Sequence, residues 1–211
     1  MDETARKDVS SWKEHASSTL VTMRYAVGEL VVTNLLWALF TVLIVTIPPA
    51  FAGLYYATNQ IAHEKKVTWR TFFIGFRTYF WPSWRWFLAN ALFVGVLIFN
   101  ILYSGALFAG TMEVLRALYL PLLFAWLLLQ LYSFPLLLEQ EEPRLLLSLR
   151  NSLLLWIAHL PFNLMLTAFV VLLVVISIYL WPSWILITAA FIAYVTNSAL
   201  LFISIGHRDG D

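Results

Sequence analysis

Long apolar stretches alternate with short polar segments along the 211 residues of the chain. A helix needs about 20 apolar residues to cross a bilayer core about 30 Å thick. Five stretches have the required apolar length: residues 27–47, 86–109, 115–138, 161–180 and 184–205. The pattern predicts an all-α fold, a polytopic membrane helical bundle of five spans.

The first apolar stretch, NLLWALFTVLIVTIPPAFAGLYY, is interrupted by Pro48 and Pro49. A proline disfavours a helical residue before it and fits the first turn of a new helix. This structural break predicts a corner, where the first span ends and a shorter helix begins. At 1.5 Å per residue, residues 49–62 reach only about 21 Å, so we expect them to lie at or dip into the interface; a crossing there would make a sixth span. The alternative interpretation is a broken-helix substrate site.

Two further segments are amphipathic and too short or too polar to span. In TWRTFFIGFRTYF, residues 68–80, the basic side carries Arg70 and Arg77, and aromatic residues form the other side. In PRLLLSLRNSLLLWIAHL, residues 143–160, the polar side includes Arg144 and Arg150. Both segments are predicted to be interfacial helices, and a third would be residues 49–62.

The same two segments suggest an internal repeat. GFRTYF at residues 75–80 and SLRNSL at residues 148–153 superpose with an offset of 73, which matches Arg77 to Arg150. Each follows a span that ends at proline and a charged stretch, and each precedes a long apolar helix. One interpretation is a duplication with parallel copies; the other is convergence of two interfacial helices on arginine among apolar residues.

Composition supports a membrane protein and narrows its chemistry. Hydrophobic residues make up 61% of the chain and charged residues 12%, against roughly 45–50% and 25% in soluble domains. The 13 Lys and Arg balance 12 Asp and Glu without a basic run, so nucleic-acid binding is not expected. There is no cysteine, which excludes disulfides and thiol catalysis. We expect a polar N-terminal tail (1–25), a single transmembrane domain (26–206) and a short C-terminal tail (207–211).

The basic residues also predict an orientation. The connections at residues 48–85 and 139–160 carry most of the lysines and arginines outside the N-terminal tail. The positive-inside rule places both connections and the C-terminus in the cytoplasm. The basic residues of the tail oppose this orientation for five spans, and a sixth span would reconcile them.

Motifs for catalysis or metal binding are missing from the sequence. AHEKKV at residues 62–67 resembles the zinc-peptidase motif H-E-x-x-H, but Val67 replaces the second histidine. Serines occur in no G-x-S-x-G context, and there is no glycine-rich phosphate loop. We therefore predict no catalytic residues, no cofactor and no metal.

Two sets of polar residues remain as candidates for function. Arg70, Arg77, Arg144 and Arg150 are candidate contacts to a partner protein or to lipid headgroups. Four asparagines in or beside the spans would either line a polar path or hydrogen-bond between helices: Asn90, Asn100, Asn163 and Asn197. Convergence on one water-filled cavity would indicate a conduit, and pairing between packed helices would indicate a scaffold.

Three quoted stretches carry a family resemblance: NLLWALFTVLIVTIPPAFAGLYY, FFIGFRTYF and LYSFPLLLEQEEPRLLLSLRNSLLLWIAHLPFNLML. Together they resemble the YesL-like family of bacterial integral membrane proteins, a domain of unknown function. The resemblance implies a multi-span inner-membrane protein with an accessory role near a carbohydrate-uptake transporter.

Three functional hypotheses follow, of which the third, an intramembrane enzyme, would require polar groups that converge in a cleft and that the sequence does not indicate. The first is a non-enzymatic accessory or regulatory component of a membrane complex, which contacts the lipid bilayer and another membrane protein or a second copy of itself. The second is a small self-sufficient channel or carrier for a polar solute.

Overall fold

A computed structural model describes residues 25, 27–107 and 112–208, with side chains described at residues 25, 27–103 and 118–204. The predicted N-terminal tail therefore lies almost entirely outside the described residues. Across the described residues the fold is all-helical, as predicted. Its helices are α1 (Val27–Phe40), α2 (Ile47–Ala62), α3 (Trp69–Thr78), α4 (Phe80–Leu107), α5 (Met112–Leu138), α6 (Leu145–Ala158), α7 (Leu160–Tyr179) and α8 (Ala189–Arg208).

Four helical segments in the described part of the chain are long and apolar enough to cross a membrane. They are Phe80–Tyr103, Leu118–Leu138, Leu160–Tyr179 and Trp184–Ser204. Helices α1 and α6 are shorter apolar helices. The predicted count of five spans is not confirmed.

The predicted first span, residues 27–47, is interrupted before the prolines. Helix α1 ends at Phe40, and a short 3₁₀ helix, Ile44–Thr46, precedes α2. The intervening sequence TVLIVT is rich in β-branched residues, which lose side-chain freedom in a helix. The hydroxyls of Thr41 and Thr46 donate to the carbonyls of Ala38 and Leu43, at 2.8 and 2.9 Å. Side-chain donors thus replace part of the missing helical bonding.

The proline corner begins a helix as predicted, because Pro48 and Pro49 occupy the first turn of α2. The helix does not lie on the surface of the bundle, however. It packs against α3, α4, α5 and α8, and most of its residues are buried. Length alone suggested an interfacial helix, but its small residues allow neighbours to approach from several sides: Ala50, Ala52, Gly53 and Ala57.

Two glycines let α2 and α3 come close together. A Cβ atom on Gly53 would lie 2.8 Å from the carbonyl oxygen of Phe72. A Cβ on Gly75 would lie 2.4 Å from the Cβ of Tyr56, a distance that real Cβ atoms essentially never show. The α2–α3 contact therefore requires glycine on both helices.

Aromatic side chains fill the space between α2, α4 and α5. The ring of Phe51 stacks on Trp86 with centroids 5.2 Å apart and meets Phe134 edge-on at 5.1 Å. Tyr55 also packs edge-on against Phe134, at 5.3 Å. Stacked and edge-on pairs are the favoured arrangements of aromatic rings. The cluster fixes α2 against two candidate spans.

The second amphipathic segment forms α6, which packs on α5 through Ser148 and Trp156. Helices α3 and α6 are each followed by one non-helical residue and then a long helix. The matched arginines are not equivalent in this pattern. Arg77 lies in the last turn of α3, whereas Arg150 lies near the middle of α6. The internal repeat is not confirmed.

A link as short as WPSW, residues 181–184, allows only a tight turn between α7 and the last span. Helix α7 ends at Tyr179, and a π-helical turn runs from Trp184 to Thr188 before α8. A π-turn shifts the hydrogen-bond register by one residue, so it changes which backbone groups are paired.

Candidate functional site

The buried polar side chains offer the clearest candidate for function, and Asn34 of α1 is the first. This residue is fully buried. Its amide nitrogen donates to the carbonyls of Trp184 and Ile185, both at 2.7 Å. Its amide oxygen accepts from the backbone N–H of Ala190 at 2.8 Å. A single side chain thus binds three backbone groups in and beside the π-turn and ties α1 to the start of α8.

A second group, the amide cluster, joins α2, α5 and α8 and consists of Asn59, His63, Glu139 and Asn197. Asn59 Nδ2 donates to Glu139 Oε1 at 2.6 Å and lies 3.4 Å from Asn197 Oδ1. His63 Nε2 lies 2.9 Å from the same carboxylate oxygen. Asn197 Nδ2 donates to Thr58 Oγ1 at 3.1 Å. One carboxylate oxygen of Glu139 therefore contacts two side chains at the end of α2, those of Asn59 and His63.

Tyr79 lies beside the amide cluster, in the break between α3 and α4. Its hydroxyl donates to the carbonyl of Leu138 at 3.3 Å. Burial raises the pKa of Tyr79, and Tyr56 and Glu139 add smaller effects in the same direction. Both the hydrogen bond and the pKa favour the neutral phenol. This contact, together with His63–Glu139, brings the end of α5 next to the segment around α3.

Asn163 forms a third polar site, at the start of α7. The hydroxyl of Tyr132 donates to Asn163 Oδ1 at 2.7 Å. Asn163 Nδ2 donates to the carbonyls of Leu155 and Trp156, at 3.0 and 3.3 Å. Asn163 thereby binds two carbonyls near the break between α6 and α7 and joins both helices to α5.

Asn90 takes part in a fourth polar group, between α4 and α5. The indole of Trp126 donates to Asn90 Oδ1 at 2.9 Å, and Asn90 Nδ2 donates to the carbonyl of Trp86 at 2.9 Å. The indole of Trp86 in turn donates to Ser133 Oγ at 2.9 Å. The hydroxyl of Ser148 donates to the carbonyl of Ser133 and so connects α6 to this polar group.

The four predicted asparagines are therefore placed differently from one another. Asn90, Asn163 and Asn197 each bond to a neighbouring helix, at three separate places. Asn100 is partly exposed and donates to Val96 of its own helix at 2.7 Å. Among the described side chains, only Ser198 Oγ is a buried polar atom without a partner. The amide groups hydrogen-bond to other protein atoms, so this arrangement can hold neighbouring helices together.

The predicted arginines also separate into two groups. Arg70 and Arg77 are exposed on α3 and border the α3 groove, an open concavity of about 530 Å³ whose other lining residues are Trp69, Phe73 and Ile74. The guanidinium of Arg70 lies over the ring of Trp69, 5.4 Å from its centroid. The opposite side of α3 is buried through Phe72, but Trp69 and Phe73, which the pattern assigned to the aromatic side, lie beside the arginines.

The other two arginines lie on or beside α6. Arg144 Nη2 lies 2.5 Å from Glu142 Oε2, and both side chains are largely exposed. An exposed ion pair of this kind contributes little to stability. Arg150 is exposed on α6. The structure does not place all four arginines in one site.

No group of three metal-ligating residues occurs within the part of the chain that the structure describes. His63 faces Glu139 rather than a ligand set. Glu64, next to it, has a φ of 57° in the turn after α2, which suits a loop and not the continuous helix that H-E-x-x-H requires.

Sequence reasoning missed two members of the amide cluster. Asn59 and Glu139 belong to none of the candidate sets taken from the sequence. A usable signal existed in α2, because Tyr55, Thr58 and Asn59 recur at helical spacing and mark a polar stripe on an otherwise apolar helix. The partner residues were not predictable in this way, since Glu139 and Asn197 lie 80 and 138 residues further along the chain.

Comparison with known proteins supports the family resemblance. Residues 30–101 match the family described as "Protein of unknown function, DUF624". The match covers about a third of the chain, from α1 through most of α4, and it confirms the predicted resemblance to the YesL-like family. The comparisons found no match among curated proteins and none among solved structures.

Proposed function

We propose that the protein is a non-enzymatic accessory or regulatory component of a membrane complex. The observation that supports this proposal best is the placement of the buried amides. Each of Asn34, Asn90, Asn163 and Asn197 bonds to another helix or to the turn before one. Polar groups used in this way stabilise one arrangement of helices.

The alternative, a self-sufficient channel or carrier, has different requirements. A conduit needs polar groups that face a shared water-filled path or a midplane site at broken helices. The asparagine contacts lie between different helix pairs, and Asn100 bonds only within α4. The proline break carries buried apolar neighbours instead of polar ones, since Ala50, Ala52 and Leu54 follow it. These contacts favour the scaffold over the conduit.

Of the four predicted arginines, we assign Arg144 and Arg150, on or beside the exposed side of α6, to contact with a partner protein. Helix α6 packs on α5 through Ser148 and leaves Arg150 exposed next to large apolar side chains such as Leu146 and Leu154. Arginine with apolar residues is a common composition at the centre of protein interfaces. The family resemblance makes a carbohydrate-uptake transporter the first partner to test.

The proposal can be tested by extracting the tagged chain from its own membranes without detergent exchange and identifying bound proteins by native mass spectrometry. We expect a foreign membrane subunit in fixed stoichiometry. Replacement of Arg144 and Arg150 by alanine should reduce its recovery, whereas Arg85→Ala, at an exposed arginine on α4, should not.

A bare monomer or homo-oligomer that carries a polar solute into liposomes would contradict the accessory role. The decisive comparison is Asn90→Leu. Loss of flux in a variant that still folds would establish a conduit, whereas loss of folding without any wild-type flux fits the scaffold.

A further inference from the structure

We propose that the α3 groove binds the headgroup of an anionic phospholipid. This inference concerns Arg70 and Arg77 and does not depend on the accessory role. A protein that retains the lipid without any partner subunit would contradict the proposed function and leave this inference intact.

The charge of the groove is the first argument. Arg70 and Arg77 are seven residues apart, so they lie on one side of α3 at a distance of about two helical turns. Both are exposed, and within the described residues the ion pairs involve other groups, His63–Glu139 and Arg144–Glu142. Guanidinium groups bind phosphate oxygens through paired hydrogen bonds. An anionic phosphate would therefore complement this positively charged surface.

The position of the groove is the second argument. Helix α3 ends at Thr78, and the candidate span begins at Phe80. Trp69 and Trp81, on either side of this junction, are 55% and 69% exposed. Exposed tryptophans beside a span are typical of the level of the lipid headgroups. Both arginines therefore lie where phosphates of the bilayer are abundant.

The apolar part of the groove is the third argument. Phe73 and Ile74 lie between the two arginines in the sequence, and Ile74 is 52% exposed. A free phosphate has no apolar part to bury against such a surface, whereas the glycerol and upper acyl chain of a phospholipid can cover it. Arginines beside apolar groups at the membrane surface thus fit a lipid better than a soluble anion.

The test is a titration of the purified full chain in detergent with phosphatidylglycerol, followed by native mass spectrometry. We expect one tightly retained lipid, and weaker retention of phosphatidylcholine. Replacing both Arg70 and Arg77 by alanine should weaken binding of phosphatidylglycerol by about 25-fold, since each basic residue near an anionic surface contributes about fivefold. Arg150→Ala removes an exposed arginine outside the groove and should leave binding unchanged.

A second measurement needs only the wild-type protein. Raising the salt concentration should weaken retention of phosphatidylglycerol, because screening reduces the attraction between exposed charges. Glycerol phosphate, which lacks acyl chains, should not displace the lipid at equal concentration.

Three results would overturn the inference. They are equal retention of phosphatidylcholine, unchanged lipid binding in the folded double variant, and displacement by glycerol phosphate as effective as by lipid. Loss of a stoichiometric protein from the double variant, with lipid binding intact, would assign the groove to a protein partner instead.

Discussion

The backbone N–H of Ala190 donates a hydrogen bond to the side-chain oxygen of Asn34 over 2.8 Å, across 156 residues of the chain. Together with the two carbonyls that Asn34 binds, this contact holds α1 against the π-turn at the start of the last span. The π-turn and its buried partner are thus one structural unit, made by two distant parts of the sequence.

Replacing Asn34 by leucine should destabilise the protein strongly. The change removes three hydrogen bonds to backbone groups around the π-turn, and a typical hydrogen bond contributes about 0.5–1.5 kcal/mol. Thermal unfolding of the purified protein in detergent would measure the loss. Asn100→Leu is the matched control, because Asn100 is partly exposed and bonds only within α4. Equal melting temperatures for the two variants would contradict the role given to Asn34.

The α2–α3 contact should not tolerate a methyl group at Gly75. A Cβ there would lie 2.4 Å from the Cβ of Tyr56, so one helix must move. We expect Gly75→Ala to lower the free energy of unfolding by about 1–3 kcal/mol, as over-packing does elsewhere.

Gly95→Ala is the control for this prediction. Apart from Gly95, its chain neighbours and the adjacent backbone of its own helix, no atom lies within 4 Å of a Cβ at Gly95, and alanine is favoured over glycine in a helix by about 1 kcal/mol. This variant should be as stable as the wild type or more so. Denaturation of both variants in the same detergent gives the comparison, and a stable Gly75→Ala protein would show that α2 and α3 pack less closely.

The raised pKa of Tyr79 predicts that the protein loses stability at alkaline pH. Burial, followed by Tyr56 and Glu139, raises the pKa of its phenol. The neutral form is favoured in the folded protein, so the contribution of Tyr79 is complete below the ordinary tyrosine pKa of about 10 and is lost as the pH rises above it.

The measurement is the difference in stability between wild type and Tyr79→Phe as a function of pH. At neutral pH the wild type should be more stable by about 1 kcal/mol, because its hydroxyl bonds to the carbonyl of Leu138. Above pH 10 the difference should shrink, while ionisation of the other tyrosines affects both proteins alike. A difference that stays constant through this range would show that Tyr79 ionises equally in the folded and unfolded states.

The proline corner should contribute to the stability of the protein and not to a specific binding or transport step. Pro48 and Pro49 are both buried in the first turn of α2. Replacing both by alanine should cost about 1–2 kcal/mol, through greater freedom of the unfolded chain and lost apolar contacts. Pro121→Ala, at an exposed proline inside α5, should be neutral or stabilising. A double variant that melts normally yet fails in transport would favour a broken-helix substrate site.

The sequence by itself determined the features that depend on neighbouring residues. Apolar length predicted the spans that became α4, α5, α7 and the last helix. The prolines predicted the start of α2, and WPSW at 181–184 predicted the tight turn. Helical spacing also predicted that Arg70 and Arg77 share one side of α3 and that Phe72 lies on another, because a repeat of 3.6 residues fixes which side chains share a face.

Only the tertiary structure decided how the pieces meet. It made α2 an internal helix, because its small residues admit four neighbouring helices that its own length could not reveal. The tertiary structure also determined the hydrogen-bond partners of Asn34, Asn59 and Asn163. An amide can bond equally well to many groups, and only packing of the helices brings one set of partners within reach. The physical reason is that local pattern sets the helices, whereas distant contacts between their buried surfaces set the fold.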